Sequence, residues 1–303
     1  MKTNPPAGKP FKKSVLAAAL IIGTGTLAFQ GFTQAAAAAA YDRTNTLPTS
    51  YANYGTHSSP VAQTVPEGYV KANYTVGSIN LPYYDGKTPD AKDISKAAAA
   101  ELAAQALWQL YGVDLNGQEI EMGYDEATEN LPRSCWTADV AIKGQNSDQD
   151  YTVKLYSVVI DSVTGELLNI GQDRTLKHDV SLAFDLALDQ NPEKYGAAYI
   201  EAAQNLAEKY NVVHSAIQSV TYAGQGSSEN DPQISFEIRG TNGEVALMGI
   251  SQYDKALSGL VYSGQYKYDL LRIQKLEQEA KATGAARQNT TPTGDITLIP
   301  SLQ

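Results

Sequence analysis

The 303-residue sequence holds one cysteine, Cys135, three histidines and two tryptophans. A single cysteine excludes a disulfide framework within the chain. A catalytic thiol needs a nearby base. His57, His178 and His214 stand in no recognisable relation to Cys135, which therefore reads as a small buried hydrophobe beside Trp136. The sequence has no His-Glu-x-x-His, no Gly-x-Ser-x-Gly, no glycine-rich phosphate loop and no Cys-x-x-Cys. Positive charge is also scarce: 23 Lys and Arg face 33 Asp and Glu, for a net charge of −10. Four of the lysines (Lys2, Lys9, Lys12, Lys13) precede residue 41, with no acid among them. The remaining surface repels nucleic acid and anionic lipid, so neither is expected as a partner.

Acids are plentiful. Glu119, Glu121, Asp125, Glu126 and Glu129 lie within eleven residues. Such a run can serve as a weak calcium site or as an acid/base pair for a hydrolase, but it more commonly forms a solvated loop after a strand. The calcium-loop pattern is missing, and Asp114-Leu-Asn116-Gly117 is a turn with one acid. His178-Asp179 and His214-Ser215 are sequence neighbours, and consecutive strand residues point to opposite faces. No catalytic, cofactor-binding or metal-binding residue is assigned, and no cofactor is expected.

Residues 1–40 read as an export signal. Lys12-Lys13 supplies a basic flank, Val15 to Phe32 an apolar core, and Ala35 to Ala40 small residues suited to cleavage. The alternative is an uncleaved membrane anchor. Residues 41–69 form a flexible linker rich in Tyr, Thr, Ser and Pro, with stacking of its spaced tyrosines on sugars as an alternative reading. Val70 to Leu81 can supply a strand that joins the first sheet.

Ile94 to Tyr111 predicts a helix. Ser95 caps it, Ile94, Ala98, Leu102, Ala106 and Leu110 form an apolar stripe, and Gly112 stops it. Strands follow at Glu119 to Tyr124, Cys135 to Lys143 and Tyr151 to Ile160, then Leu167 to Ile170 after a turn at Asp161-Ser-Val-Thr-Gly165. Asp161 builds that turn, Gly165 supplies positive φ, and Glu166 faces solvent. A helix followed by antiparallel strands ending in Val159-Ile-Asp-Ser-Val-Thr-Gly-Glu-Leu168 resembles the PepSY-like family, found in secreted bacterial proteins and in propeptides of secreted peptidases. The resemblance implies a cystatin-like module without established catalytic residues. It also implies a role in inhibiting or chaperoning a peptidase, or in the cell envelope.

The second half repeats the first. Asn191-Pro192 opens a helix with Tyr195, Tyr199, Ala203, Leu206 and Tyr210 as its stripe. Ala103-Ala-Gln-x-Leu-x-x-x-Tyr-x-Val113 aligns with Ala202 to Val212, Val140-x-Ile142 with Phe236-x-Ile238, and Gly165 with Gly259. Val180 to Leu188 is a short helix or a strand, and Leu270 to Ala282 is a helix able to brace the second domain. The expected fold is α+β: two tandem PepSY-like modules at 70–176 and 177–284, each a helix packed on an antiparallel sheet, and a disordered tail at 285–303. The expected function is an exported, non-enzymatic binding protein whose partner is a secreted peptidase or a cell-wall component. A hydrolase using the acidic run is the remaining alternative.

Overall fold

The computed structural model describes residues 65–129, 131–142, 151–177, 184–226 and 231–282. The signal segment, most of the linker, His57, His178 and the C-terminal tail lie outside them. Helix α1 (Lys96–Tyr111) begins where Ser95 Oγ accepts the Ala98 N–H at 3.2 Å. It ends at Gly112, whose φ of 67° turns the chain left-handed. Its inward face is mostly alanine (Ala99, Ala100, Ala103, Ala104), so the helix lies close on the sheet, with Leu107 reaching deeper.

The strands are β1 (Thr75–Ser78), β2 (Glu119–Asp125), β3 (Cys135–Val140), β4 (Tyr151–Asp161) and β5 (Leu167–Leu176). After them come three helices, α2 (Leu186–Gln190), α3 (Pro192–Tyr195) and α4 (Ala197–Lys209). The chain continues with β6 (Ile217–Gly226), β7 (Gln233–Gly240), β8 (Val245–Ser251), β9 (Leu257–Val261) and a last helix, α5 (Ser263–Ala282). The nine strands of the described residues form one sheet, in the order β1-β2-β3-β4-β5-β9-β8-β7-β6. Only β1 pairs in parallel, with β2; every other pairing is antiparallel.

Setting β1 aside, the order reads alike from either edge, and the two halves meet at the centre. There β5 pairs with β9 through Asn169–Val261, Ile170–Leu260 and Gly171–Gly259. Helices α1 and α4 cover the same face, and their buried residues join a single core with Trp136, Val158, Ile160, Phe236, Ile238 and Met248. Each such large side chain, fully buried, contributes about 1.5–3 kcal/mol. The alternate residues Val245, Leu247 and Val261 point to the other face and pack under Tyr266 and Leu270 of α5.

The two units expected from the sequence therefore share one sheet and one core. The reason is edge pairing: at Asn169–Gly171 the backbone groups of β5 that β4 leaves free are met by β9. Helix α5 likewise braces more than the second half, since Lys275 reaches Glu129 in the first at 2.8 Å. The predicted single helix after Asn191 is broken at Gly196 into α3 and α4, leaving Tyr195 half exposed while Tyr199, Leu206 and Tyr210 pack on the core.

The β4–β5 and β8–β9 turns share one hydrogen-bond pattern, in a different register from the one expected for a repeat. In the first half Gly165 N–H bonds Asp161 C=O at 2.9 Å, and Asp161 N–H bonds Glu166 C=O at 2.9 Å. In the second, Lys255 N–H bonds Ser251 C=O at 3.0 Å, and Ser251 N–H bonds Ala256 C=O at 2.9 Å. Gly165 thus corresponds to Lys255, which also has positive φ (60° against 75°), rather than to Gly259. At the ends of α1 and α4, Gly112 and Asn211 both have positive φ. Among the described residues no helix is long and apolar enough to cross a membrane.

Candidate functional site

The turn after β4 is a scaffold whose polar groups are already engaged. Asp161 Oδ1 accepts the N–H groups of Val163 (2.9 Å) and Thr164 (2.8 Å), as an Asx turn requires. Its Oδ2 lies 3.1 Å from Arg133, and the same guanidinium nitrogen reaches Glu166 at 2.7 Å. Glu166 keeps 38% of its side chain exposed, as a solvent-facing position implies, and is held there in an ion pair.

Asp93, just before α1, accepts hydrogen bonds from Ser162 Oγ (2.6 Å), Tyr124 Oη (2.8 Å) and Ser134 Oγ (3.2 Å). Burial opposes its ionisation, but the bonds from Ser162, the Asp90 N–H, Tyr124 and Ser134 outweigh that and lower its pKa. Ile94 N–H donates to Ser162 C=O at 2.6 Å, and Trp136 Nε1 donates to Ile94 C=O at 3.0 Å. These bonds clamp the start of α1 onto the turn.

The acidic run disperses. Strand alternation sends Glu119 and Glu121 to solvent while Ile120 and Met122 enter the core, and Glu126 and Glu129 are exposed. Asp125 is buried against Lys87 at 3.2 Å and Thr137 Oγ1 at 3.2 Å. Among the described residues no three potential ligands gather as a metal site.

Cys135 is buried with Val159 and Leu168, on the face opposite Trp136. Burial pushes its thiol up to about 12, and the Asp125 and Asp161 carboxylates add to the effect, which disfavours a nucleophilic thiolate. His214 sits on a left-handed turn (φ 47°) with Nδ1 3.2 Å from Glu244, and its neighbour Ser215 bonds the Ala216 carbonyl. The His214-Ser215 pair therefore makes no dyad.

Two features remain with free capacity. The first is the sheet edge at β6. Its ten residues, Ile217 to Gly226, carry no charge and no proline, two of the usual guards of an edge strand, while its ladder with β7 is irregular between Ile217 and Ser219 and between Tyr222 and Gly224. The C-terminal half is covered. Gln225 bonds Asp185 in both directions (N–H to Oε1 at 3.0 Å, Nε2 to C=O at 2.9 Å), and Tyr222 Oη donates to Asp189 at 2.8 Å. The Ile217–Thr221 half has β7 on one side and, among the described residues, no strand on the other.

The second is a groove of about 300 Å³ at the far end of the sheet, between the chain at Gly68–Ala72 and the end of α1. Ala104, Val113 and Leu115 floor it, and Trp108 forms a wall with its ring centroid 5.9 Å from that of Tyr69. Asp114 and Asn116 form the rim. Asp114 Oδ1 accepts from Asn116 N (2.9 Å) and Nδ2 (2.8 Å), while Asn116 Oδ1 accepts the Asn73 N–H at 2.8 Å. Sequence reasoning passed over this groove. The one available signal was a tryptophan lying beside, rather than within, the apolar stripe of α1.

No protein-family model matches the sequence, and no curated protein matches it. Among solved structures, the Bacillus megaterium YpeB C-terminal domain is similar, at 12% identity and a TM-score of 0.32. The match covers 57% of this chain and 65% of that one, so over a third of the YpeB domain has no counterpart. A likeness this slight bears on neither family nor activity.

Proposed function

We propose that this is an exported, non-enzymatic binding protein of PepSY-like type. Two related helix-on-sheet halves are joined edge to edge, and the free edge of β6 takes up an extended segment of a secreted peptidase. The observation that carries the reading is the uncharged, half-open Ile217–Thr221 edge. Strand addition needs unpaired backbone groups in register and neighbouring side chains that tolerate a new strand. The engaged Asp161–Arg133–Glu166 set and the dispersed acids favour binding over turnover. The export segment and partner follow from the sequence reading of residues 1–40 and of the Asp161 turn. Purified mature protein is expected to change the activity or maturation of a peptidase secreted by the same cell. No effect on any of them counts against the proposal.

A second reading, an envelope-binding module, is favoured by the Trp108 groove. Its test is sedimentation of the protein with purified cell wall.

A further inference from the structure

We propose that the groove between Trp108 and the Asp114–Asn116 turn holds one neutral sugar ring of a glycan chain. This deepens the envelope reading and rests on it for the source of the glycan. The volume, about 300 Å³, stands at the small end of ligand sites, enough for a single ring rather than an extended chain. The partly buried indole of Trp108, which lines the groove, offers an apolar plate for the C–H face of a ring.

The rim supplies the complementary polarity. Asp114 Oδ1 is occupied by Asn116, but Asp114 Oδ2 has no hydrogen-bond partner among the described residues. Asn116 Nδ2 spends one of its two hydrogens on Asp114, leaving the other to donate. An exposed acceptor and an exposed donor therefore lie side by side. Two vicinal hydroxyls match that pair, one donating to the carboxylate and its neighbour accepting from the amide. The charge of the site selects against anionic ligands. Asp114 is on the rim, the charge of Glu101 behind Tyr69 and Tyr74 is met by Lys71 at 3.2 Å, and the whole chain carries −10.

The test is calorimetric titration of the full chain with triacetylchitotriose and with cellotriose, alongside Trp108→Ala, Asp114→Ala and Gln218→Lys. Saturable binding of either sugar is expected, weakened at least tenfold by Trp108→Ala and by Asp114→Ala. The edge variant Gln218→Lys should bind as the parent does. Circular dichroism confirms that each variant is folded. Absence of binding by both sugars overturns the inference, as does binding that survives Trp108→Ala. Absence of sugar binding while the protein still sediments with cell wall removes the groove assignment and leaves the envelope reading standing. Loss of both removes both.

Discussion

Arg174 Nε lies 2.6 Å from Asp231 Oδ2, with both side chains 2% exposed, and this contact crosses from the first half of the chain to the second. The other guanidinium nitrogens fork onto Asp254 at 2.8 and 2.9 Å, and Ser251 Oγ donates to Asp231 Oδ1 at 2.6 Å. Burial opposes ionisation of Asp254, but the hydrogen bonds and charge of Arg174 outweigh it and hold its pKa low. Removing one member of such a set leaves a buried charge uncompensated. Arg174→Met should cost about 3–5 kcal/mol, read as a fall in the denaturant midpoint. The double variant Arg174→Met, Asp231→Leu should recover much of that loss. A single variant within about 1 kcal/mol of the parent would contradict the proposed lock between halves.

The two equivalent turns predict unequal responses to the same substitution. Gly165 adopts φ 75°, and a Cβ there would meet Leu102 Cδ1 at 3.0 Å. Gly165→Ala should therefore lose about 1–2 kcal/mol, the cost of a left-handed non-glycine residue. Lys255 already bears that cost at φ 60°, so Lys255→Ala should change stability only by its contact with the Tyr199 ring, about 0.5 kcal/mol. Thermal unfolding of both variants checks this; equal losses would show that the turns are not equivalent.

Those turns also show what the sequence could and could not convey. Ser95, Gly112 and the Asp161–Gly165 run act on their own neighbours, so local chemistry made them legible. Gly112 and Asn211 hold like places at the helix ends, but matching glycine to glycine slid the turn by four residues, because the β8–β9 turn carries a lysine at positive φ where the β4–β5 turn carries glycine. The join of β5 to β9 was not legible: nothing in either strand names a partner some ninety residues away. The Arg174 fork depends on that join, and so was hidden with it. The environment of Trp108 was hidden too, because it depends on residues 68–72 folding over the end of α1.

A pH effect should come from Asp269 on α5. Burial raises its pKa from 3.8 to about 6, while Arg272 and a hydrogen bond from Gln265 offset part of the rise. The folded protein therefore binds the proton more tightly than the unfolded chain does. This contribution is fully present below pH 3.8 and is lost as pH rises through about 6. At most about 3 kcal/mol is involved. Asp269→Asn, which cannot ionise, should be no more stable than the parent near pH 4 and more stable at pH 7. A difference between them that stays constant from pH 4 to 7 would remove Asp269 as the cause. Asp93 acts in the opposite sense, since its lowered pKa supports the fold at neutral pH and that support fades in acid.

The edge proposal predicts a variant that loses function without losing stability. Gln218 is exposed on the open half of β6, and Val220 is partly buried two residues further along. A lysine at 218 places a charge where an incoming strand would have to desolvate it, the device by which natural edge strands repel pairing. Away from the core such a change should alter stability by no more than about 0.5 kcal/mol. Gln218→Lys should therefore unfold with the parent and yet abolish its effect on the partner peptidase. The covered half gives the control. Gln225→Ala breaks both hydrogen bonds to Asp185, uncovers more of the same edge, and should leave capture intact or strengthen it. If Gln218→Lys acts on the peptidase as the parent does, the partner docks elsewhere, and the bare edge is a feature of the fold alone.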